Sequence, residues 1–395
     1  MSVLLIVLGL LALLALGAWA VEVRTPRRVR WRDVTLDGAA AGGGSGTAQV
    51  ADGLVLQHDD GTTVWATLGY AIYRSDSGGD FRRIARIRPP FGEPWGGHLR
   101  SLRRLFGYQE LVELLPLDGD RLLVFSAGFV HVLDLRTGRA RRTHELRYFG
   151  RGKGRGLMAF GLDRDLDGAL YFAEYVTESG DRPTGLWKST DEGETWALAY
   201  EFAPTDIRHI HVVQCDPHDG AIWIGTGDRD EHCFVGRSTD GGASFEWVGH
   251  GRQIHRTCSF AFFDDVVAWP MDADFEQNHV IRWHRASGRV TTDGDLPDAS
   301  YCASRVDDER FLVAVCQGVA QVWAAGRDGA TERWLDWPVP SAPPTRGPSP
   351  GVRLARGSNR SGAHVHVNPL RTTDFEARIY RLPRTAIPAT GATPA

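Results

Sequence analysis

The stretch Ser189-Thr190-Asp191-Glu192-Gly193-Glu194-Thr195-Trp196 decides the fold, because its pattern returns at Ser238-Thr239-Asp240-Gly241-Gly242-Ala243-Ser244-Phe245. A looser copy is Arg74-Ser75-Asp76-Ser77-Gly78-Gly79-Asp80-Phe81, with arginine in the serine place. An aspartate carboxylate can accept backbone N–H bonds within a turn, and glycine adopts positive φ without strain. Each copy therefore predicts a tight hairpin turn, anchored to its own sheet by the aromatic residue. The pattern is carried by Asp76, Gly78, Phe81, Ser189, Asp191, Gly193, Trp196, Ser238, Asp240, Gly242 and Phe245.

Short strand-like runs separated by turn residues group in fours along the chain. The groups begin roughly 50 residues apart, which is the spacing of propeller blades. They occupy about 54–87, 111–146, 156–200, 208–250, 257–292 and 298–335, and a last group at 352–381 has three clear runs. The segment Val29–Leu36 reads as a separate strand that would complete the last group. We therefore expect an all-β protein, a β-propeller of seven four-stranded blades, with six or eight blades as alternatives.

The repeated turn pattern resembles the Asp-box, or BNR, repeat, Ser-x-Asp-x-Gly-x-Thr-Trp. Proteins that carry this repeat include sialidases and photosystem II assembly-factor-like propellers. The resemblance covers residues 50–335 by motif and 29–381 by strand pattern. It implies a β-propeller in which the boxes lie at the periphery and are structural, so it says little about function.

The N-terminus carries an uncharged, leucine-rich run, Val3–Val21, that is just long enough to span a bilayer as a helix. Five arginines follow it, at positions 24, 27, 28, 30 and 32. Under the positive-inside rule these predict an uncleaved single-pass anchor with the propeller in the cytoplasm; a periplasmic or extracellular propeller is the alternative.

The predicted organisation follows from these segments. Residues 1–22 form a transmembrane helix that contacts the bilayer, and residues 23–50 a basic juxtamembrane segment that includes the blade-closing strand. Residues 51–382 form the propeller, and residues 383–395 a disordered tail. The net charge of −4 leaves no global basic field, so nucleic acid is not an expected partner.

The sialidase resemblance would imply an arginine cluster, a Tyr–Glu nucleophile pair and an aspartate acid/base. The chain does not present this set by motif. Glu174 and Tyr175 are adjacent, but neighbouring strand residues face opposite sides of a sheet, so they cannot act together on one surface. No catalytic residue is assigned on this basis.

Histidine offers a second route to chemistry. His209 and His211 start the innermost run of their group and are two residues apart, so they share one strand face. Innermost strands line the central channel, where side chains such as Gln214, Asp228, His255 and His366 could join them, and His364 and His366 repeat the alternation. This pattern predicts a divalent transition-metal site of the kind that propeller-fold lyases use on uronate sugars; the alternative is polar channel residues bonded to backbone or water.

A calcium loop is a further hypothesis. Asp163, Asp165 and Asp167 with Gly168 match the Asp-x-Asp-x-Asp-Gly spacing, and Glu174 falls at the twelfth position of an EF-hand loop. The flanking runs predict short strands instead of helices. The alternative is a plain hairpin turn closed by Asp167-Gly168.

Residues 92–109 contain leucines at helical spacing with Arg100, Arg103 and Arg104 on the other side. This predicts a short basic amphipathic helix for a membrane surface or a partner subunit. Together with the anchor and the missing sialidase set, it favours a non-catalytic, membrane-anchored propeller that serves as an interaction scaffold, accessory subunit or assembly factor of a membrane complex. The alternatives are a metal-dependent lyase or hydrolase on acidic polysaccharide that uses the channel histidines, and a sialidase-like glycosidase.

Overall fold

The computed structural model describes 26–36, 46–87, 112–150, 153–177, 182–316, 318–341, 350–357, 359, 362–373 and 375–390, together with residues 7, 9, 11 and 12. No helix among these residues is long and apolar enough to cross a membrane. Most of the predicted anchor lies outside the described residues, as do Arg100, Arg103 and Arg104 of the predicted basic helix. Both features therefore stay predictions.

The described residues form 33 strands. The first group comprises β1 (Arg28–Val29), β2 (Arg32–Leu36), β3 (Gly46–Asp52), β4 (Val55–Asp59), β5 (Thr63–Leu68), β6 (Ala71–Asp76), β7 (Phe81–Arg86), β8 (Val112–Pro116), β9 (Arg121–Ser126), β10 (Phe129–Asp134) and β11 (Arg139–Glu145). The next comprises β12 (Phe149–Gly150), β13 (Gly154–Gly156), β14 (Leu162–Arg164), β15 (Leu170–Ala173), β16 (Tyr175–Val176), β17 (Thr184–Ser189), β18 (Ala197–Phe202), β19 (His209–Cys215), β20 (Ile222–Gly227), β21 (Phe234–Ser238) and β22 (Glu246–His250). The last comprises β23 (Ala261–Phe262), β24 (Val266–Pro270), β25 (Asn278–His284), β26 (Val290–Leu296), β27 (Ser300–Arg305), β28 (Arg310–Val315), β29 (Ala320–Gly326), β30 (Thr331–Trp337), β31 (Gly351–Leu354), β32 (His364–Thr372) and β33 (Phe375–Pro383).

These strands form eight sheets with antiparallel pairing throughout. Six sheets are built on four strands taken in chain order: β4–β7 with β1 added, β8–β11, β14-β15-β17-β18, β19–β22, β23–β26 and β27–β30. A seventh joins β31, β32 and β33 to β3 and β2, and a small three-stranded sheet joins β12, β13 and β16. The first strands touch round a ring, since β4 contacts β8 and β31, β14 contacts β19, and β27 contacts β23 and β31. The all-β propeller predicted from the repeat is therefore the observed arrangement.

The two ends of the ring are joined by a strand that lies later in the chain than predicted. In β3, Val50 pairs with Tyr380 and Ala51 with Ile379 of β33. The predicted strand Val29–Leu36 is split: Val29 pairs with Phe81 at the edge of the first sheet, and β2 adds to the outer side of β3. The reason is burial, because Ala48 and Val50 of β3 are inside, whereas β2 is mostly exposed.

The two full turn motifs adopt the same hydrogen-bonded hairpin. Asp191 Oδ1 accepts from the Ser189 hydroxyl at 2.8 Å and from the Thr195 backbone at 2.9 Å. The Gly193 N–H donates to Ser189 Oγ at 2.9 Å with φ at +86°, and Trp196 Nε1 donates back to the Gly193 carbonyl at 3.1 Å.

The copy built on Ser238 and Asp240 repeats the serine, aspartate and glycine bonds, whereas Phe245 stands where the first copy has the hydrogen-bonding Trp196. In the looser copy Asp76 instead pairs with Arg74 at 2.6 Å. The turn at Ser238 lies at the end of its sheet away from the site described below, because Ser238 pairs with Ile222 at the start of β20.

Apolar side chains fill the space between neighbouring sheets. One such layer sets Phe125 of β9 against Phe172 of β15 with ring centroids 5.2 Å apart, and Trp196 packs on both rings. Trp223 and Trp269 are fully buried in the largest cluster, which extends through the later sheets. Each such buried side chain contributes roughly 1.5–3 kcal/mol of stability, so the ring is held by inter-sheet packing as well as by strand pairing.

A single buried amide tests how the ring is closed. Asn368 of β32 accepts from the Leu56 N–H at 2.8 Å and donates to the Leu54 carbonyl at 3.2 Å, which links the last sheet to the first. We expect Asn368→Leu to lower the free energy of unfolding by about 2–4 kcal/mol, because two backbone groups lose their partner while buried. Urea unfolding measures this. The exposed Thr47→Ala on β3 is the control, and an unchanged midpoint for Asn368→Leu would contradict this role of the amide.

Candidate metal centre

The predicted histidine pair lies at the start of β19, at one end of the central channel. His209 pairs with Gly227, the last residue of β20, so Asp228 directly follows the strand opposite the histidines. The ladder is interrupted by a bulge between Ile210 and Val212, and both imidazole rings lie on the same side with centroids 4.8 Å apart. Strand alternation and the adjoining turn thus place two imidazoles and a carboxylate together.

Three ligand-type atoms converge at this point. His209 Nε2 lies 2.9 Å from His211 Nε2, and Asp228 Oδ1 lies 3.3 Å and 3.4 Å from these two atoms. Nitrogen and oxygen ligands bind zinc at about 2.0–2.1 Å, so two ligands of one ion are about 2.9–3.4 Å apart at bond angles between 90° and the tetrahedral value. The triangle therefore fits a single divalent metal ion.

The protonation of the rings also suits a cation. His209 Nδ1 lies 2.6 Å from the Val176 carbonyl, which can only accept, so Nδ1 carries a proton and Nε2 is the ring nitrogen that can offer a lone pair to a cation. Burial lowers the pKa of His211 to about 4, so this ring is neutral near pH 7. Two imidazole nitrogens and a carboxylate oxygen therefore face one point. This is a ligand set of the kind that metal ions bind.

Surrounding side chains hold the three groups in position. Arg208 Nη1 binds Asp228 Oδ2 at 2.5 Å, and the Arg256 guanidinium lies 3.4 Å from Oδ1. Burial alone would raise the pKa of Asp228, but its close contacts with the two histidine rings hold it well below its usual range. Tyr175 stacks on His209 with ring centroids 4.0 Å apart. Asp228 therefore stays ionised and His209 stays oriented.

Access to the centre is from the carboxylate side. His209 and His211 are 1% and 2% exposed, whereas the Asp228 side chain is 25% exposed. The small sheet β12-β13-β16 borders this approach: Tyr175 lies on β16, and the Arg155 guanidinium of β13 lies 5.8 Å from the Tyr175 ring centroid. Gly150, Gly154 and Arg155 belong to this sheet, which therefore places a basic side chain beside the histidines.

The other histidines and polar residues predicted to join the pair do not do so. His366 binds Asp59 at 2.7 Å, and His364 lies near Arg381 on the closing sheet. Gln214 lies near the opposite end of β19 and accepts from the Phe260 N–H at 2.7 Å. His255 packs against Gly249. Of the four residues proposed to join the pair, only Asp228 is at the centre.

Two carboxylates of the predicted calcium loop, those of Asp163 and Asp165, accept hydrogen bonds from different protein groups. Asp165 Oδ1 accepts from the backbone of Asp167 and Ala169, and its Oδ2 accepts from the Tyr171 hydroxyl at 2.9 Å. Asp163 accepts from the Cys215 N–H at 2.8 Å on the neighbouring sheet. The structure thus places Asp163 in β14 and Asp165 and Asp167 in the turn between β14 and β15, and the calcium hypothesis stays a prediction.

The adjacent pair Glu174 and Tyr175 points in two directions. Glu174 is buried and binds Arg147 through both oxygens, at 2.8 Å and 2.6 Å, as well as the Gly185 N–H. Tyr175 faces His209. The pair therefore does not form a shared nucleophile.

Sequence reasoning missed three residues behind His211: Arg256, Cys258 and Asp272. The available signal was positional, because Asp272 follows β24 much as Asp228 follows β20 in the preceding sheet. Equivalent turns of neighbouring sheets meet at the same end of the channel, so an acidic residue in both turns could have suggested a shared site.

The larger cavity lies at the other end of the channel. It has a volume of about 500 Å³ and is lined where the first strands of the sheets end, by residues that include His58, Asp163, Gln214, Arg305 and Arg356. The histidine pair does not line it. Its walls mix charged groups that are already paired with apolar side chains, so it shows no convergent chemistry comparable to the centre at His209.

Comparison with known proteins gives the fold but no family. No family profile and no curated protein matches the chain in sequence. Among solved structures the chain is similar to an oligogalacturonate lyase in complex with manganese, with a TM-score of 0.57 and 11% identity over 91% of this chain and 98% of that one. It is also similar to an oligogalacturonate lyase from Vibrio parahaemolyticus, with a TM-score of 0.54 and 9% identity over 91% and 99%. A chain of a mitotic checkpoint complex gives 0.51 and 11% over 85% and 93%.

These comparisons correct the function expected from the sequence. The non-catalytic scaffold was favoured because no catalytic constellation could be identified. That interpretation is wrong: the structure brings His209, His211 and Asp228 together, and the two lyases that share the fold over almost their whole length are enzymes. The site-based alternative is the one that these findings favour.

The cavity end of the channel yields a pH prediction. Burial and the neighbouring Arg356 lower the pKa of His58 to about 4. In the unfolded chain the His58 ring therefore binds a proton below about pH 6.5, whereas in the folded protein it stays neutral down to about pH 4. The free energy of unfolding consequently falls as the pH drops from 6.5 towards 4. We expect His58→Gln to reduce this loss by up to about 3 kcal/mol, as measured by urea unfolding at several pH values. The exposed His218→Gln should keep the wild-type pH dependence, and an equally steep loss in His58→Gln would contradict the assignment.

Proposed function

We propose that the protein is a divalent-metal-dependent lyase that acts on acidic, uronate-containing saccharides. One observation carries the proposal: His209 Nε2, His211 Nε2 and Asp228 Oδ1 meet within 2.9–3.4 Å at one end of the channel. The likeness in fold to two oligogalacturonate lyases, one of them in complex with manganese, supports it.

In this proposal three side chains bind the metal, and their neighbours orient them. His209, His211 and Asp228 would hold the metal, which when bound would neutralise a substrate carboxylate and make the adjacent C–H proton more acidic. The Val176 carbonyl keeps the His209 proton on Nδ1, so that Nε2 stays available. Tyr175 prevents rotation of that ring by stacking on it. Arg208 fixes Asp228 at the exposed side, where substrate would approach.

Positive charge beside the approach suits an anionic substrate. Arg155 has no acidic partner among the residues that the structure describes, and Lys153 lies exposed on the same loop. A cation without a carboxylate partner at the mouth of a site attracts and orients anionic ligands. This favours a substrate with a carboxylate on each sugar over a neutral glycan.

Three features of the organisation are proposed as well. The ring would have seven blades, with β12-β13-β16 as an insertion, and its turns at 189–196 and 238–245 would be Asp-box turns. Residues 3–21 would anchor the enzyme in a membrane. The arginines after this segment favour a cytoplasmic propeller, with a periplasmic or extracellular one as the alternative.

Metal binding tests the centre directly. After removal of metal with a chelator, the protein should bind manganese at the histidine pair, and His209→Ala should weaken this binding by about 100-fold or more because one of three ligands is lost. Isothermal titration measures the affinity. The exposed His250→Ala is the matched control. Equal manganese affinity in His209→Ala and wild type would contradict the assignment.

Turnover tests the reaction class. Metal-loaded protein should cleave oligogalacturonate or a related uronate polymer by β-elimination, which creates a double bond whose ultraviolet absorbance follows the reaction. Chelation should abolish the activity, and His211→Ala should lower kcat/KM by about 100-fold or more. His250→Ala should keep the wild-type rate. No unsaturated product from a panel of uronate polymers with metal-loaded protein would overturn the proposal.

A further inference from the structure

The second ring nitrogen of His211 faces another set of ligand-type atoms. His211 Nδ1 lies 3.5 Å from Cys258 Sγ and 3.5 Å from Asp272 Oδ2, and Sγ lies 3.3 Å from the same carboxylate oxygen. All three residues are 2% exposed. They come from three parts of the chain: β19, the segment before β23, and the turn after β24.

The distances fit one tetrahedral metal ion. With Zn–S near 2.3 Å and Zn–N and Zn–O near 2.0–2.1 Å, tetrahedral geometry puts sulfur about 3.5 Å from nitrogen or oxygen, and nitrogen about 3.3 Å from oxygen. The observed triangle is within about 0.2 Å of each value. The two contacts of the sulfur are also within hydrogen-bond range, but hydrogen bonding does not account for the third side, because 3.5 Å between nitrogen and oxygen is longer than an N–H···O bond normally is.

The Asp272 carboxylate has one oxygen that accepts no hydrogen bond from the described residues. Asp272 Oδ1 is buried and has no hydrogen-bond partner among the residues that the structure describes. A buried carboxylate oxygen without a partner costs free energy that a bound cation would recover. Arg256 lies 3.3 Å from Oδ2, and its charge is shared with Asp228 and Asp274 at 3.4 Å and 3.3 Å. The three carboxylates thus carry more negative charge than Arg256 neutralises, and the excess can balance a second cation.

The cysteine segment is held in place by its own backbone contacts. The Thr257 hydroxyl oxygen lies 3.0 Å from the Ser259 carbonyl oxygen and 2.9 Å from the Pro270 carbonyl oxygen, so its one hydrogen is shared between them. Pro270 is the last residue of β24. This fastens the Cys258 segment to the strand whose following turn carries Asp272. The sulfur and the carboxylate are thus positioned by one rigid unit, as a metal site requires.

We propose that His211, Cys258 and Asp272 form a second site, for a thiophilic divalent cation such as zinc, beside the first. The imidazole of His211 bridges the two ions through its two nitrogens. On binding, the Cys258 thiol and the His211 ring each release a proton to solvent, as thiolate and bridging-imidazolate ligation require. The bridging role of His211 rests on the proposed function, because that function supplies the first site at Nε2. The second site depends only on its own ligands, His211 Nδ1, Cys258 and Asp272.

Cobalt titration of the chelator-stripped full-length chain tests the proposal. We expect about two cobalt ions per chain and an intense near-ultraviolet thiolate-to-cobalt charge-transfer band, because one ion is bound by sulfur. Elemental analysis after dialysis gives the stoichiometry. The wild-type protein alone can therefore overturn the proposal: a protein that binds cobalt without the thiolate band has no metal at Cys258.

Variants separate the two sites. Cys258→Ala should lose the band and one equivalent of metal, whereas Cys302→Ala, which removes another buried thiol outside the cluster, should keep both. Asp228→Ala should lose one equivalent and keep the band. Circular dichroism on each variant checks that it is folded.

The outcomes distinguish the two claims. One ion per chain with no thiolate band overturns the second site and leaves the metal centre of the proposed function standing. One ion with a band that survives in Asp228→Ala supports the second site and overturns the first. A folded protein that binds no cobalt overturns both.

Discussion

The pairing of β3 with β33 is the constraint on which the rest of the structure depends. It places Val50 opposite Tyr380 and Ala51 opposite Ile379, so that a strand near the start of the described chain completes a sheet near its end. Without it the last sheet would lose two of its five strands, and its exposed edge could pair with another chain. The channel, and every site that lines it, exists because this ring is closed.

Buried ion pairs reinforce that closure from inside the channel. Arg353 on β31 binds Glu113 on β8 at 2.5 Å and Gln57 on β4 at 3.0 Å, which ties the last, second and first sheets together. Arg356 also reaches Glu113 and donates to the Leu114 carbonyl at 2.6 Å. Buried charges of this kind are tolerated only with their partners present, so they select one arrangement of the sheets.

The channel has two chemically different ends. At one, turns that follow the second strands of neighbouring sheets bring Asp228 and Asp272 to either side of His211, where imidazoles face carboxylates. At the other, a cavity is lined by groups that mostly satisfy one another, such as Asp163 with the Cys215 N–H. The difference follows from which backbone turns carry acidic residues. It explains why the cluster of imidazoles and carboxylates lies at this end and not in the cavity.

The sequence by itself determined the kind of architecture and its structural turns. Strand alternation, the blade-length spacing and the Ser-x-Asp-x-Gly pattern are local, and the hairpins at Asp191 and Asp240 form the turns that they predict. Local alternation also placed His209 and His211 on one face. Only the tertiary structure decided that Gly46–Asp52 closes the ring, that Asp228 joins the histidines while His366 binds Asp59, and that Cys258 and Asp272 lie behind His211. The physical reason is that local patterns depend on backbone geometry within a few residues, whereas these contacts depend on how separate sheets are set around a closed ring.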